Sequence, residues 1–84
     1  MASAKPNIAT EEVSAMDRVP VSSSNLVEVG YEEETMTLEI LFKNGRLYQY
    51  YEVPASVYTE LVAAESPGAY FNERIRGAYR FARV

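Results

Sequence analysis

The sequence contains no cysteine, no histidine and no tryptophan. Without cysteine the chain has neither a disulfide framework nor a thiolate metal site. Without histidine it also lacks the commonest metal ligand of proteins and the side chain used most often as a general base. We therefore predict no catalytic residues, no metal site and no cofactor, and we expect that the chain is not an enzyme.

Long apolar segments are absent as well. No apolar run approaches the roughly 20 residues that a membrane-spanning helix requires. The segment Met1–Pro6 has no apolar stretch of the kind found in secretory signals. The net charge of -4 argues against gross electrostatic attraction to nucleic acid or to an anionic membrane. We expect a cytoplasmic location and no membrane partner.

What the sequence does contain is enough for one small folded unit. Of its 84 residues 48% are hydrophobic, and seven are tyrosine. A chain of this length can bury one modest core. Its first part mixes small and polar residues without a sustained period, so we predict a flexible arm over residues 1–18 with a weak helical turn from Thr10 to Met16. Residues 19–84 are predicted to form a single α+β domain.

Alternation of apolar and polar residues predicts a small antiparallel sheet, a meander of three or more strands. The three predicted strands are Leu26–Tyr31, Met36–Phe42 and Arg46–Val53. In the first strand we expect Val27, Val29 and Tyr31 to share one face, with Leu26 on the other. A last segment, Ala78–Val84, alternates loosely enough to be an edge strand or an extended tail.

The turn Lys43-Asn44-Gly45 decides which side chains of its hairpin share a face. If Asn44-Gly45 is a two-residue turn, Leu41 lies opposite Tyr48. If all three residues form the loop, with Gly45 as a left-handed bulge, Ile40 opposes Tyr48 and Leu38 opposes Tyr50. We favour the bulge, because it gathers the large apolar residues on one face.

Two helices are predicted after the third strand, packed together on one face of the sheet. Pro54 suits the first position of a helix that continues over Ala55–Glu65 with apolar residues at helical spacing. Ser66 is the predicted N-cap of a second, short helix, with Pro67 at its first position and its end near Gly77.

Several of these features occur in an order and spacing that is typical of one family. They are Ser22-Ser23, Gly30-Tyr31, Leu38-x-Ile40-x-Phe42, Gly45, Tyr48-x-Tyr50, Val53-Pro54, Ser66-x-Gly68, and Phe71-Asn72 followed by Ile75-Arg76. The sequence thus resembles the KTSC domain, a small bacterial and phage module named for its occurrence at the C-terminus of some lysyl-tRNA synthetases. The resemblance covers residues 19–84. It suggests RNA binding by association with a synthetase.

Tyr48 and Tyr50 are the first candidates for a binding surface. They share a face of the predicted third strand, and paired rings on an open sheet are how several RNA-binding modules stack unpaired bases. The alternative, which we favour for the bulge register, places both rings in the core beneath the helices. An exposed stacking surface would then fall to four other residues, Tyr31, Tyr51, Tyr70 and Tyr79.

Basic residues are the second group of candidates. Four arginines fall near the C-terminus, namely Arg74, Arg76, Arg80 and Arg83. With Lys43 and Arg46 from the hairpin tip they can form a phosphate-binding patch, since a guanidinium group binds anions through two parallel hydrogen bonds. The alternative is a solvated face whose arginines pair with Glu65, Glu73 or the run Glu32–Glu34. We expect Arg76 to be fixed by the structure and Asn72 to brace a turn.

Three hypotheses follow. The first is a non-catalytic module that binds RNA or a nucleotide-type ligand. Its candidate residues are Arg46, Tyr48, Tyr50, Asn72, Arg74, Arg76, Tyr79 and Arg80. The second is a protein-interaction or self-assembly module in which the sheet edge and exposed tyrosines form a homo-oligomer interface. The third, implied by the resemblance to stand-alone phage proteins, is an oligomer that sequesters a small anionic nucleotide between its subunits.

Overall fold

The computed structural model describes residues 17–84. The predicted arm therefore lies outside the described residues except for Asp17 and Arg18, and so does the predicted helical turn. The described chain forms an antiparallel sheet whose strands follow one another in chain order. They are β1 (Arg18–Pro20), β2 (Leu26–Glu32), β3 (Thr37–Phe42), β4 (Leu47–Tyr50) and β5 (Phe81–Arg83). This α+β meander confirms the predicted fold class.

The helical part lies between β4 and β5. It comprises α1 (Ala55–Ala63) and α2 (Pro67–Tyr70), and α2 runs on into a π-helical segment, Phe71–Ile75. Ser66 caps α2 as predicted, since its Oγ accepts a hydrogen bond from the Ala69 N–H at 3.3 Å. Pro54 is the N-cap of α1 and not its first helical residue. Within residues 17–84 no helix is long and apolar enough to cross a membrane.

The hairpin between β3 and β4 closes through the three-residue loop. Gly45 has a φ of 90°, and its N–H donates to the Phe42 carbonyl at 2.9 Å. Leu38 pairs with Tyr50 and Ile40 with Tyr48. The bulge register is therefore confirmed, because a left-handed Gly45 gives the loop the extra residue that this pairing requires.

One prediction about β2 is wrong. The register between β2 and β3 shifts between Leu26 and Glu28, so that Leu26 pairs with Phe42 while Val29 pairs with Ile40. The shift makes Val27 the extra residue and turns Leu26 to the same face as Val29. Both Leu26 and Val29 are fully buried, and Val27 is only half-buried.

The helices cover one face of the sheet, which we call the helical face. Its core consists of nine buried residues, Leu26, Val29, Leu38, Ile40, Tyr50, Val53, Leu61, Phe71 and Ile75. Leu61 comes from α1, while Phe71 and Ile75 come from the π-helical segment. Both helices are thereby fixed to the sheet by apolar burial, as predicted.

The opposite face, which we call the polar face, contains a buried carboxylate. Pairing across four strands aligns Arg18, Gly30, Glu39 and Gln49 in one row. Glu39 is only 1% exposed. It accepts hydrogen bonds from the Arg18 guanidinium and from Gln49 Nε2, the latter at 3.0 Å. Arg18 reaches Glu39 across Gly30, which has no side chain, so the residue that ends the predicted arm belongs to the folded sheet.

Candidate ligand-binding cleft

A cleft of about 500 Å³ opens at the margin of the helical face. It lies between the tip of the β3–β4 hairpin, strand β5 and the end of the π-helical segment. Its aromatic lining consists of Phe42, Tyr48, Tyr50, Phe71 and Phe81. Its polar lining consists of Asn25, Asn44, Arg46, Asn72 and Arg76, and Gly77 completes it. The cleft thus combines rings, amides and guanidinium groups.

The rings of the cleft hold one another in place. Tyr48 lies edge-on to Phe42 at a centroid distance of 5.4 Å, and Tyr50 lies edge-on to Phe71 at 5.6 Å. Phe81 contacts both tyrosines, at 5.6 Å from Tyr48 and 5.4 Å from Tyr50. Phe81 nevertheless remains 56% exposed, whereas Tyr50 is 5% exposed. A ring fixed by its neighbours and open on one side is suited to stack a planar ligand.

Two guanidinium groups flank these rings. Arg46 follows the hairpin loop and Arg76 ends the π-helical segment, where its N–H donates to the Phe71 carbonyl at 2.9 Å. Both side chains are exposed, and neither forms an ion pair within residues 17–84. No carboxylate of the described part of the chain lines the cleft. The cleft is therefore a positively charged place on a chain of net charge -4.

The charge of Arg76 also reaches the cleft floor. Burial raises the pKa of the Tyr50 hydroxyl above the ordinary value of 10.0, the neighbouring Tyr48 raises it further, and Arg76 opposes both effects. A nearby cation favours the phenolate form of a tyrosine. Arg76 and Tyr50 line the same cleft, so this cation lies beside the aromatic floor.

Asn25 reaches the cleft because its loop is held from two sides. The Ser23 hydroxyl donates to Asn25 Oδ1 at 3.0 Å, and the Lys43 N–H donates to the Asn25 carbonyl at 2.9 Å. Gly68 of α2 allows this approach, since a Cβ at that position would lie 2.6 Å from Asn25 Oδ1. A side chain at position 68 would push the loop out of place, which explains the glycine in the Ser66-x-Gly68 pattern.

The structure brings together five of the eight predicted site residues, Arg46, Tyr48, Tyr50, Asn72 and Arg76. Tyr79 and Arg80 instead line a neighbouring depression, described below. Arg74 lines neither, because its guanidinium carbon lies over the Tyr70 ring at 5.7 Å from the centroid. The core interpretation holds for Tyr50, while Tyr48 is half-buried in the cleft wall.

None of the four other candidate tyrosines is fully exposed, and two of them, Tyr51 and Tyr79, line a depression beside the cleft. Tyr31, Tyr51, Tyr70 and Tyr79 are all half-buried. Tyr31 stacks on Tyr58 at 5.4 Å, and the Tyr70 hydroxyl donates to the Glu60 carboxylate at 2.7 Å. Both tyrosines therefore serve the fold. The exposed ring of the site is Phe81, which sequence reasoning did not select.

The alternative in which the C-terminal arginines pair with Glu65, Glu73 or the run Glu32–Glu34 is not found within residues 17–84. Within that part of the chain their only ion pair joins Arg80 to Glu52 at 3.7 Å. In the same part of the chain Arg76 and Asn72 make no side-chain hydrogen bond. Among the described residues Arg76 therefore has no polar partner that fixes its side chain, and Asn72 has none through which to brace a turn. Both side chains face the cleft instead.

Comparison with known proteins identifies the domain. The KTSC domain family matches residues 22–79. An uncharacterized protein of Stutzerimonas stutzeri is 40% identical over 70 residues, which cover 82% of this chain and 99% of that protein. A lysine–tRNA ligase of Nostoc punctiforme is 36% identical over 73 residues, which cover 87% of this chain. The chain spans only 13% of the length of that ligase.

A solved structure agrees with the fold. The crystal structure of a KTSC domain protein from Yersinia pestis superposes with a TM-score of 0.78 at 37% sequence identity, and the match covers 83% of this chain and 99% of that one. The family match extends from the serine turn before β2 to Tyr79, so it includes the hairpin, both helices and most of the cleft. The chain belongs to the KTSC domain family.

Proposed function

We propose that this domain is a non-catalytic binding module whose cleft takes a nucleotide-type ligand. The base lies against the aromatic lining, and the phosphate lies between Arg46 and Arg76. One observation carries this proposal: on a chain of net charge -4, the cleft is lined by five aromatic rings and by two guanidinium groups that have no ion-pair partner, and no carboxylate lines it, within residues 17–84.

The aromatic lining supports a planar ligand. Stacking of bases on aromatic side chains is the common basis of binding to unpaired nucleic acid, and every base offers a flat face for it. Phe81 is the most open of the rings, at 56% exposed, and Tyr48 beside it is half-buried. The amides of Asn25, Asn44 and Asn72 supply both donors and acceptors, as the edge of a base requires.

The two arginines support an anionic group on that ligand. Guanidinium groups form paired hydrogen bonds with phosphate oxygens. Arg46 and Arg76 approach the cleft from different elements, so a phosphate between them can contact both. The volume of about 500 Å³ is that of an ordinary small-molecule site. Lysine–tRNA ligases, which share this domain, are named for a nucleic acid, and that association agrees with the proposal.

Thermal unfolding in the presence of nucleotides tests the proposal. Each of the four nucleoside monophosphates is titrated to millimolar concentration, with the matching nucleosides as ligands that lack the phosphate. A ligand that binds only the folded chain raises the melting temperature with the logarithm of its concentration. We expect a rise for at least one monophosphate, and a smaller rise for its nucleoside.

Matched variants assign that effect to the cleft. Arg76→Ala should weaken binding about tenfold, since a charge-assisted hydrogen bond contributes about 1.5 kcal/mol or more. Arg74→Ala is the control, because Arg74 lies outside the cleft on the same segment. Equal losses in the two variants, or no thermal shift with any monophosphate, would contradict the proposal.

One observation favours a second candidate function, which is self-assembly through β5. Among residues 17–84 this strand is an edge of the sheet; it begins with Phe81 and is followed by Val84, which are 56% and 58% exposed. An open edge with exposed apolar residues can pair with a second copy of the chain. Light scattering at increasing protein concentration tests this candidate: a dimer that Phe81→Lys abolishes supports it, and a monomer at all concentrations excludes it.

A further inference from the structure

A second depression adjoins the cleft and has no role in the binding of a single nucleotide. We call it the side depression. It measures about 600 Å³ and is lined by Tyr51, Gly77, Ala78, Tyr79, Arg80 and Phe81. Gly77 and Phe81 line both the cleft and the side depression. The two sites are therefore neighbours that share one boundary.

The shared boundary is open over Gly77. This residue has a φ of 81°, and no atom lies within 4 Å of the place that a Cβ would occupy. The backbone there adopts a conformation that favours glycine. No side chain of residue 77 stands between the two sites, so an elongated ligand can pass from one to the other over the backbone.

The side depression repeats the chemistry of the cleft. Phe81 presents its ring to both sites, and Tyr51 and Tyr79 are two further half-buried rings. Arg80 supplies a guanidinium group that is 78% exposed. Aromatic rings and a guanidinium group thus occur together on each side of Phe81. A polymer of bases and phosphates has this same repeat, whereas a mononucleotide uses only one unit.

Arg80 is available for such a ligand. Its pairing with Glu52 spans 3.7 Å between side chains that are 78% and 77% exposed. An exposed pair of this kind contributes little to stability, so the guanidinium can exchange the carboxylate for a phosphate. Arg76 and Arg80 lie on opposite sides of Gly77 in the sequence. Arg76 lines the cleft, and Arg80 lines the side depression. Each of the two sites therefore has a guanidinium group of its own.

We infer that the ligand is a single-stranded oligonucleotide of at least two nucleotides, which runs from the cleft across Gly77 and Phe81 into the side depression. This inference rests on the proposed function of the cleft and specifies its ligand. A second nucleotide adds contacts with the Tyr51 and Tyr79 rings and with Arg80. A mononucleotide reaches none of these.

Dependence on ligand length tests the inference. Affinities are measured for 5′-phosphorylated oligouridylates of one, two, four and eight nucleotides, with the corresponding deoxythymidylates in parallel to separate RNA from DNA. Uridylates are chosen because their bases stack weakly on one another. We expect the tetranucleotide to bind at least tenfold more tightly than the mononucleotide, as one additional stacked base and one phosphate contact would give.

The variant Arg80→Ala tests whether the side depression provides the affinity that is gained with oligonucleotide length. We expect this variant to bind the mononucleotide as the unchanged chain does and to lose most of the gain with length. The slope of the logarithm of affinity against the logarithm of salt concentration should fall by about 0.7, the value for one phosphate contact to a single strand. Arg74→Ala, which removes an arginine outside both sites, should leave the gain and the slope unchanged.

The outcomes separate this inference from the proposal on which it rests. Equal affinity for one and four nucleotides would overturn the inference and leave the nucleotide cleft in place. A gain with length that Arg80→Ala and Arg74→Ala affect equally would also overturn it, because the side depression would then take no part. Failure of every ligand to bind would overturn both.

Discussion

The two faces of the sheet are buried by different means. On the helical face, nine apolar residues from the strands and the helices exclude water. On the polar face, the carboxylate of Glu39 is 1% exposed and is satisfied by Arg18 and Gln49. The same strand supplies both, since β3 alternates Leu38 and Ile40 with Thr37 and Glu39.

This difference explains where a binding site can arise. A buried charge must keep its partners, so the row on the polar face leaves little freedom to change. The helical face is apolar at its centre, but its cover is incomplete. Helix α1 lies against β2, and the π-helical segment begins with Phe71, which packs against Tyr50. At the β4–β5 margin the rings of the core therefore continue into the cleft, where Tyr48 and Phe81 are open to a ligand.

The largest effect is expected from the centre of the helical face. Ile40→Ala removes a fully buried side chain and should destabilise the fold by about 3 kcal/mol, through lost burial and the cavity that remains. Leu41→Ala, the next residue on the same strand, truncates a half-buried side chain on the polar face and should cost less than half as much. Urea unfolding measures both. Equal losses would contradict the assignment of the core to one face.

A smaller effect is expected on the polar face. Arg18→Ala leaves Glu39 buried with Gln49 as its remaining partner, and should destabilise the fold by about 2 kcal/mol. The value lies below that of a fully buried pair because the Arg18 side chain is 22% exposed. Glu39→Gln in the Arg18→Ala background removes the unpaired charge and should restore part of the loss. Unchanged stability in Arg18→Ala would show that the row is not a stabilising feature.

The smallest of these effects is a loss of stability at alkaline pH. Burial raises the pKa of Tyr50 above its ordinary value of 10.0, so the folded state holds this proton more tightly than the unfolded state. The associated stability is fully present below about pH 10 and is lost as pH rises through the raised pKa. Burial also raises the pKa of Tyr31 and Tyr70.

Tyr50→Phe removes one of these three contributions. Urea midpoints measured from about pH 8 to about pH 11 should decline for the unchanged chain and decline less steeply for the variant. Identical slopes would mean that the Tyr50 hydroxyl is not held in a buried environment.

Much of the fold could be predicted from the sequence because local chemistry decides it. Gly45 selects the hairpin loop, and Ser66-Pro67 marks the start of α2. Neither strand β1 nor the shift at Leu26 was predicted. Each depends on partners distant in the chain, such as Arg18 and Glu39, which are 21 positions apart. Residue periodicity carries no signal of such a pairing.

The sequence predicted the kinds of residue that line the site better than it predicted which of them meet. Tyr48, Arg46 and Arg76 were candidates by residue type, and they do meet. Asn25 and Phe81 were not candidates, because only the folded chain brings the loop before β2 and the edge strand to the same cleft. Arg74 was a candidate only by its proximity in sequence to Arg76, and it contacts Tyr70 instead.

The most direct test of the cleft as a binding site is an amide chemical-shift titration with a 5′-phosphorylated tetrauridylate. We predict that the largest changes fall on Tyr48, Arg76 and Phe81 at the margin of the helical face, with much smaller changes at Leu41 and Gln49 on the polar face. Largest changes on the polar face or on α1, or no changes at saturating oligonucleotide, would contradict this prediction.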